Sequence, residues 1–233
     1  MYWPLHIHIA SSNSALAGRL LAIALTCAPC VTAAGDLIAR VLDKDGTPLQ
    51  DAVVTARALT GRGVPQAAPS DEVVDQVDRE FVPRVKAILV GTRVRFPNSD
   101  SVRHQVYSFS AAKRFELPLY SGGGTAAPAV VFGKPGIVVL GCNIHDWMVA
   151  YIYVSETPHF AKTGKDGTAV LKELPPGDYN VRVWQPNLAE PEESTVRRVA
   201  IGRSGTSDVE WRIEVKPVFR MRRAPAPGGG GYR

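Results

Sequence analysis

Three side chains able to bind a soft metal fall on one short stretch, Gly141-Cys142-Asn143-Ile144-His145-Asp146-Trp147-Met148. Their spacing is Cys-x2-His-x2-Met, directly after an apolar run, Ile137 to Leu140, that reads as a strand. A second imidazole, His104, lies 38 residues upstream of Cys142, also in a stretch that reads as a strand. Two imidazoles, one thiolate and one thioether are the donors that hold copper in a trigonal plane with a long axial contact. Thiolate and thioether suit Cu(I) and imidazole suits Cu(II). A trigonal compromise lets the ion change oxidation state with little rearrangement.

The spacing has a geometric reason. The residues between Cys142 and His145 turn the chain back over one metal, and those after His145 bring Met148 to the axial side before the next strand, Val149 to Val154. Three donors on one loop are flexible alone, so His104 has to come from a rigid neighbour. Taken singly, each residue has a plainer reading: a buried Cys is usually inert core and a Met usually fills a gap. A lone strand His is usually a satisfied core residue. The joint pattern is what points to a metal.

At these residues the chain resembles the cupredoxins of the plastocyanin–amicyanin group. The short loop spacing is similar to that of amicyanin, and Phe96-Pro97-Asn98-Ser99-Asp100 followed by His104 resembles their F-x-N-x-D … H element. The run from Asp75 to Pro186 further resembles bacterial methylamine-utilisation or plastocyanin-like proteins. Phe81-Val82-Pro83, His104 to Ser110, Lys113 to Leu117 and Leu140 to Met148 carry that likeness. The resemblance implies one type 1 (blue) copper held by His104, Cys142, His145 and Met148, with Asn98, Gln105, Asn143 and Trp147 around it. Gln105 is a departure, because Asn or a second His is usual after the first His. Its carboxamide is expected to supply a hydrogen bond between the ligand loops.

Composition bounds the rest. Helix-period patterns are hard to find after residue 35, whereas β-branched runs punctuated by Gly, Pro, Asn and Asp dominate. The expected fold class is all-β: a Greek-key cupredoxin sandwich plus a second small Ig-like β-sandwich. The formal net charge is +5, but Lys216, Arg220, Arg222, Arg223 and Arg233 account for it in a tail, 216–233, without acidic residues. That tail reads as a disordered, solvated basic arm. No basic-aromatic surface repeat supports nucleic-acid binding.

Residues 1–34 read as a secretory signal. Arg19 precedes an apolar stretch, Leu20 to Thr26, and small residues follow from Val31 to Ala34. The apolar stretch is too short to span a bilayer as an ordinary helix, so stable membrane insertion is not expected. Cleavage near Ala33 or Ala34 would send a monomer to the periplasm. The Met1 to Ser14 start is long for such a leader, and a downstream start codon is an alternative. His6, His8 and the Cys27-x2-Cys30 pair would leave with the leader, making Cys142 the sole thiol of the mature protein. A lone thiol in an oxidising compartment is a liability unless something holds it.

Residues 36–60 read as strand, turn and strand, with Asp43-Lys44-Asp45-Gly46 as the turn. A Gly/Pro/Ala-rich connector, 61–70, leads to the copper unit, 71–157. Strands are expected there at Phe81–Val90, Arg93–Phe96, His104–Phe109, Phe115–Leu117, Val130–Phe132, Ile137–Cys142 and Val149–Val154, with a Gly-rich mobile loop from Tyr120 to Pro128. Residues 158–215, through Thr163 to Gly167, Ala169 to Leu174 and Val181 to Trp184, resemble the carboxypeptidase regulatory-like β-sandwich, as does Val41 to Val54. The favoured arrangement inserts the copper unit into a surface loop of that sandwich. The alternative gives 36–60 to the cupredoxin as its first strand. His159, just outside the copper unit, reads as a surface residue.

The leading functional reading is a one-electron carrier serving a redox partner protein. The rival is a copper carrier or sensor using the same donors, and a third is a structural sandwich with a vestigial site. Paired carboxylates in a defined frame, a Ser-His-Asp order and a second copper site are not found, so an enzyme is not expected. His145 is the expected electron port. Trp147 either joins an apolar docking patch around it or packs under the loop, and Asp146 is expected at the surface.

Overall fold

The structure is a computed structural model and describes residue 1 and residues 34–60, 70–122 and 128–217. The leader, Cys27, Cys30, His6, His8, most of the basic tail, the 61–69 connector and the centre of the Gly-rich loop lie outside the described residues. Among the described residues no helix is long and apolar enough to cross a membrane.

In chain order the strands are β1 (Gly35–Asp43), β2 (Val53–Ala58), β3 (Asp71–Val73), β4 (Asp75–Val77), β5 (Glu80–Val82), β6 (Val85–Leu89), β7 (Arg93–Arg95), β8 (Tyr107–Ser110) and β9 (Lys113–Glu116). They continue as β10 (Ala129–Val131), β11 (Gly136–Gly141), β12 (Val149–Ser155), β13 (Phe160–Lys162), β14 (Thr168–Leu174), β15 (Gly177–Trp184), β16 (Arg197–Ile201) and β17 (Thr206–Ile213). The helical element among the described residues is one 3-10 turn, Glu192–Thr195. The protein is all-β, as its composition leads one to expect.

Two sandwiches share the strands. In the first, sheet β14-β1-β17 faces sheet β13-β2-β15-β16. Leu37, Ala39, Val41, Leu171, Trp211 and Ile213 meet Val54, Ala56, Val181 and Val183 between them. Alternation puts Leu37, Ala39 and Val41 of β1 on one side, and an eight-residue parallel register, Asp36↔Thr206 to Asp43↔Ile213, fixes β1 against β17. The β1–β2 turn forms as its residues dictate. Asp43 Oδ1 accepts the N–H groups of Asp45 and Thr47 at 2.9 and 2.8 Å, and Gly46 supplies φ +89°.

In the second sandwich, sheet β6-β12-β11-β8-β9 faces β10-β7-β3. Phe96, Phe132, Val138, Leu140, Ile152, Cys142 and Met148 lie in its core. Strands β3 to β12 pair with one another, and β1 and β2 pair with β13 to β17. Residues 71–157 thus leave the chain between β2 and β13, two antiparallel neighbours with Thr55 opposite Phe160.

Where the two sandwiches meet, Val53 and Trp184 pack on Val85 and Tyr153. This explains the unbroken run Val53-Val54-Thr55-Ala56, every residue of which is buried. One side of β2 faces its own core and the other faces this seam. Tyr151 and Tyr153 set their rings 5.8 and 5.6 Å from that of Trp184.

Two strand expectations need correction. Phe81–Val90 is split into β5 and β6, because Pro83 has no N–H to donate to a ladder. His104 is not inside a strand. It pairs through a single bridge with Tyr120, and β8 begins three residues later. If residues 71–157 are an insertion with their own core, that segment expressed alone folds cooperatively in urea, at a lower midpoint than the whole chain because Val85 and Tyr153 lose their cover. A non-cooperative product would show that the segment depends on the other sandwich and is not an independently folding insertion.

Candidate metal centre

His104 is fully buried, and its backbone is held on both sides. Its N–H donates to the Tyr120 carbonyl and its carbonyl accepts the Tyr120 N–H, both at 3.0 Å. Asn98 braces the chain just before it. Nδ2 donates to the carbonyls of Val102 and Tyr120 at 3.0 Å each, and Oδ1 accepts the Asp100 N–H at 3.0 Å. Tyr120 is anchored in turn. Its hydroxyl donates to the Phe96 carbonyl at 2.8 Å and accepts from Gln76 Nε2 at 2.5 Å. Burial pushes the Tyr120 phenol up to about 12, so it stays a neutral hydrogen-bonding group.

Cys142 follows β11 directly and is buried. Its Sγ lies 3.8 Å from His104 Nδ1 and 3.9 Å from His145 Nδ1. The three donor atoms all lie within 4.8 Å of one another. The separations fit one ion. Metal–sulfur and metal–nitrogen bonds of about 2.3 and 2.0 Å, opened to 120°, place N and S about 3.7 Å apart. The imidazole rings tilt across each other with centroids 4.9 Å apart. Met148 donates its N–H to the His145 carbonyl at 2.9 Å, closing the loop, and its side chain is buried in the same core cluster as Cys142. A thiolate and two imidazoles, with a thioether side chain buried in the same core cluster, suit copper better than a hard cation.

The other ring nitrogen of His104 is committed. Nε2 lies 2.6 Å from Asp100 Oδ2. Burial raises the Asp100 pKa, but the N–H groups of Arg79 and Asp78 and the His104 ring outweigh it and hold the carboxyl below its ordinary value. An ionised carboxylate only accepts, so Nε2 is the donor in this pair, and Nδ1, facing Cys142 Sγ, is the ring nitrogen left for a metal.

The remaining site residues separate. Gln105 donates from Nε2 to Glu116 Oε1 at 2.7 Å. It spans the β8–β9 side of the sheet, and the bridge expected from it to the Cys142 loop is not made. Asn143, Ile144 and Asp146 are exposed, and His145 is half-buried. Trp147 follows the packed side of its fork. It packs against the core beneath the loop, with its ring centroid 5.1 Å from that of His145, yet remains part-exposed. Its Nε1 is buried without an acceptor among the described residues. His159 is half-buried against Tyr179 rather than at the surface, and burial lowers its pKa. From sequence, Asp100 is named only as the end of the Phe96–Asp100 element, and Tyr107 is given no role at the site. Asp100 was readable from its place four residues before His104, whereas Tyr107 had no local signal.

No protein-family model matches the chain, and no curated protein matches it. Among solved structures, it is similar to a purple cupredoxin from Nitrosopumilus maritimus, with 27% identity over 36% of this chain and 100% of that one, at TM-score 0.32. It is similar to a Cu-containing nitrite reductase from Thermus scotoductus SA-01, with 26% identity over 52% of this chain and 28% of that one, at TM-score 0.35. A reduced amicyanin carrying a single substitution is 18% identical over 44% of this chain and 98% of its own, at TM-score 0.34. The functional reading rests on the donor geometry and not on these likenesses.

Gly141, beside Cys142, is covered by the Tyr107 ring. A Cβ there would meet Tyr107 Cζ at 2.7 Å and Oη at 2.8 Å. Gly141→Ala is expected to displace that half-exposed ring and to cost no more than about 1 kcal/mol in urea unfolding, the low end of overpacking. Adding Tyr107→Ala should remove the clash, so the double variant is expected to lose less than the sum of the two singles.

Proposed function

We propose that this protein is a periplasmic type 1 copper protein that carries single electrons between redox partners and performs no catalysis of its own. The observation that supports it is the convergence of His104 Nδ1, His145 Nδ1 and Cys142 Sγ, with Met148 buried beside them. Bound by this set, copper supplies a one-electron couple.

The residues divide the work. Cys142 is the thiolate donor and the electronic route into the chain. His104 is the rigid donor, held in the core by Asn98 and Tyr120. Met148 is the axial donor. His145 is half-buried between the exposed Ile144 and Asp146 and presents its ring to a partner. Ile144, 53% exposed, and the outer part of Trp147 give that partner a small apolar contact suited to brief encounters.

Loading the purified protein with Cu(II) should give an intense thiolate-to-copper absorption band and narrow copper hyperfine splitting in EPR. Cys142→Ser should abolish both. A pale protein with wide hyperfine splitting would favour copper carriage, and a protein that takes no copper would sink the reading. Export is a separate element. Sequencing the N-terminus of protein from a periplasmic extract should begin near residue 34, and an intact leader on that material would count against it.

A further inference from the structure

The carboxylate behind His104 is held more firmly than a hairpin contact requires. Asp100 Oδ1 accepts the Asp78 N–H at 2.7 Å. Oδ2 accepts both the Arg79 N–H at 2.8 Å and the His104 ring at 2.6 Å. Three donors on two oxygens leave the carboxylate no rotation. The two backbone donors come from the two-residue turn between β4 and β5, where Asp78 and Arg79 both adopt positive φ, 53° and 59°. A turn of this kind normally favours Asn-Gly. Here two side-chain-bearing residues adopt the left-handed region, and their successive N–H groups converge on one anion. The loop is tied down once more by Ser99, whose hydroxyl donates to Asp75 Oδ2 at 2.7 Å.

We propose that Asp100 is a positioning residue for the metal centre: its carboxylate fixes His104 as the Nε2–H tautomer, aims bare Nδ1 at the metal position, and makes that nitrogen a stronger donor to the oxidised ion. The proposal rests on the ligand reading above and adds a residue that the reading does not need. A carboxylate on the far nitrogen of a ligating imidazole sets its tautomer and orientation and raises its basicity, and loss of such a partner typically weakens metal binding by about 10–100-fold. A stronger imidazole donor favours Cu(II) over Cu(I), since imidazole suits the oxidised ion. Asp100 therefore lowers the reduction potential. A merely structural clasp on the hairpin would have no such electronic effect.

The test has one metal-free and one copper-loaded arm. In the metal-free wild-type protein, 15N shifts of His104 are expected to show a protonated Nε2 and a bare Nδ1. The Nδ1–H tautomer would overturn the proposal, and this arm stands even if a variant fails to fold. In the loaded protein, Asp100→Asn is expected to weaken Cu(II) binding by about 10–100-fold and Cu(I) binding by less. Each tenfold of that difference raises the potential by about 59 mV. Ser99→Ala cuts a hydrogen bond in the same loop without touching the ring, and should leave the potential unchanged. A blue Asp100→Asn protein with wild-type potential and an unchanged ratio of Cu(II) to Cu(I) affinity would overturn this role alone. A wild-type chain that takes no copper would overturn the ligand reading and this role together.

Discussion

A buried imidazole has to satisfy two nitrogens in a place water does not reach, and an unpaired polar group there is costly. His104 is that imidazole, and the local structure around it follows from this constraint. One nitrogen is given to Asp100. The other faces Cys142 Sγ at 3.8 Å, where the thiol proton or a metal can complete it. Asp100, itself only partly buried, is held charged by the N–H groups of the β4–β5 turn and by the ring. Asn98 and Tyr120 then fix the backbone on either side. Each layer supports the one inside it, and the innermost is the direction of a single lone pair.

The second half of the site is built differently. Cys142, His145 and Met148 share one loop between two strands paired along their whole length, from Gly136↔Val154 to Gly141↔Val149. Such a hairpin cannot slip, because a one-residue shift would turn Leu140 and Ile152 out of the core. The loop inherits that register. Rigidity therefore comes from the sheet on one side and from a side-chain network on the other. The two histidines differ accordingly: one is sealed in, and the other is half-exposed on a loop with exposed neighbours.

The sequence was most legible where a local pattern carries the meaning. The Cys-x2-His-x2-Met spacing, the apolar run before it and the alternation in β1 all describe residues a few positions apart, and they led to the observed elements. The first imidazole was legible as a residue but not in its setting. The strand expected around it is a single bridge to Tyr120, a partner 16 positions away that no local pattern marks. Gln105 was misread for a related reason. Its neighbour on β9 is set by the β8–β9 register and not by its place after His104. Val53 to Ala56 gave an apolar run without saying which side faced what, because the seam with Val85 and Tyr153 depends on a segment that returns much later in the chain.

The antiparallel neighbours β2 and β13 are what a short hairpin would ordinarily join, yet Thr157 Oγ1 reaches back to the Ala56 carbonyl across 101 positions of chain. Closing so long a loop in an unfolded chain is entropically unfavourable, and pairings this far apart in sequence form slowly. A segment that has already collapsed on its own core removes the difficulty, since it delivers its two ends side by side and acts as a turn of ordinary length. If residues 71–157 collapse first on their own core, the β2–β13 pairing closes after them, and the pocket in which a metal would sit forms before that edge is complete.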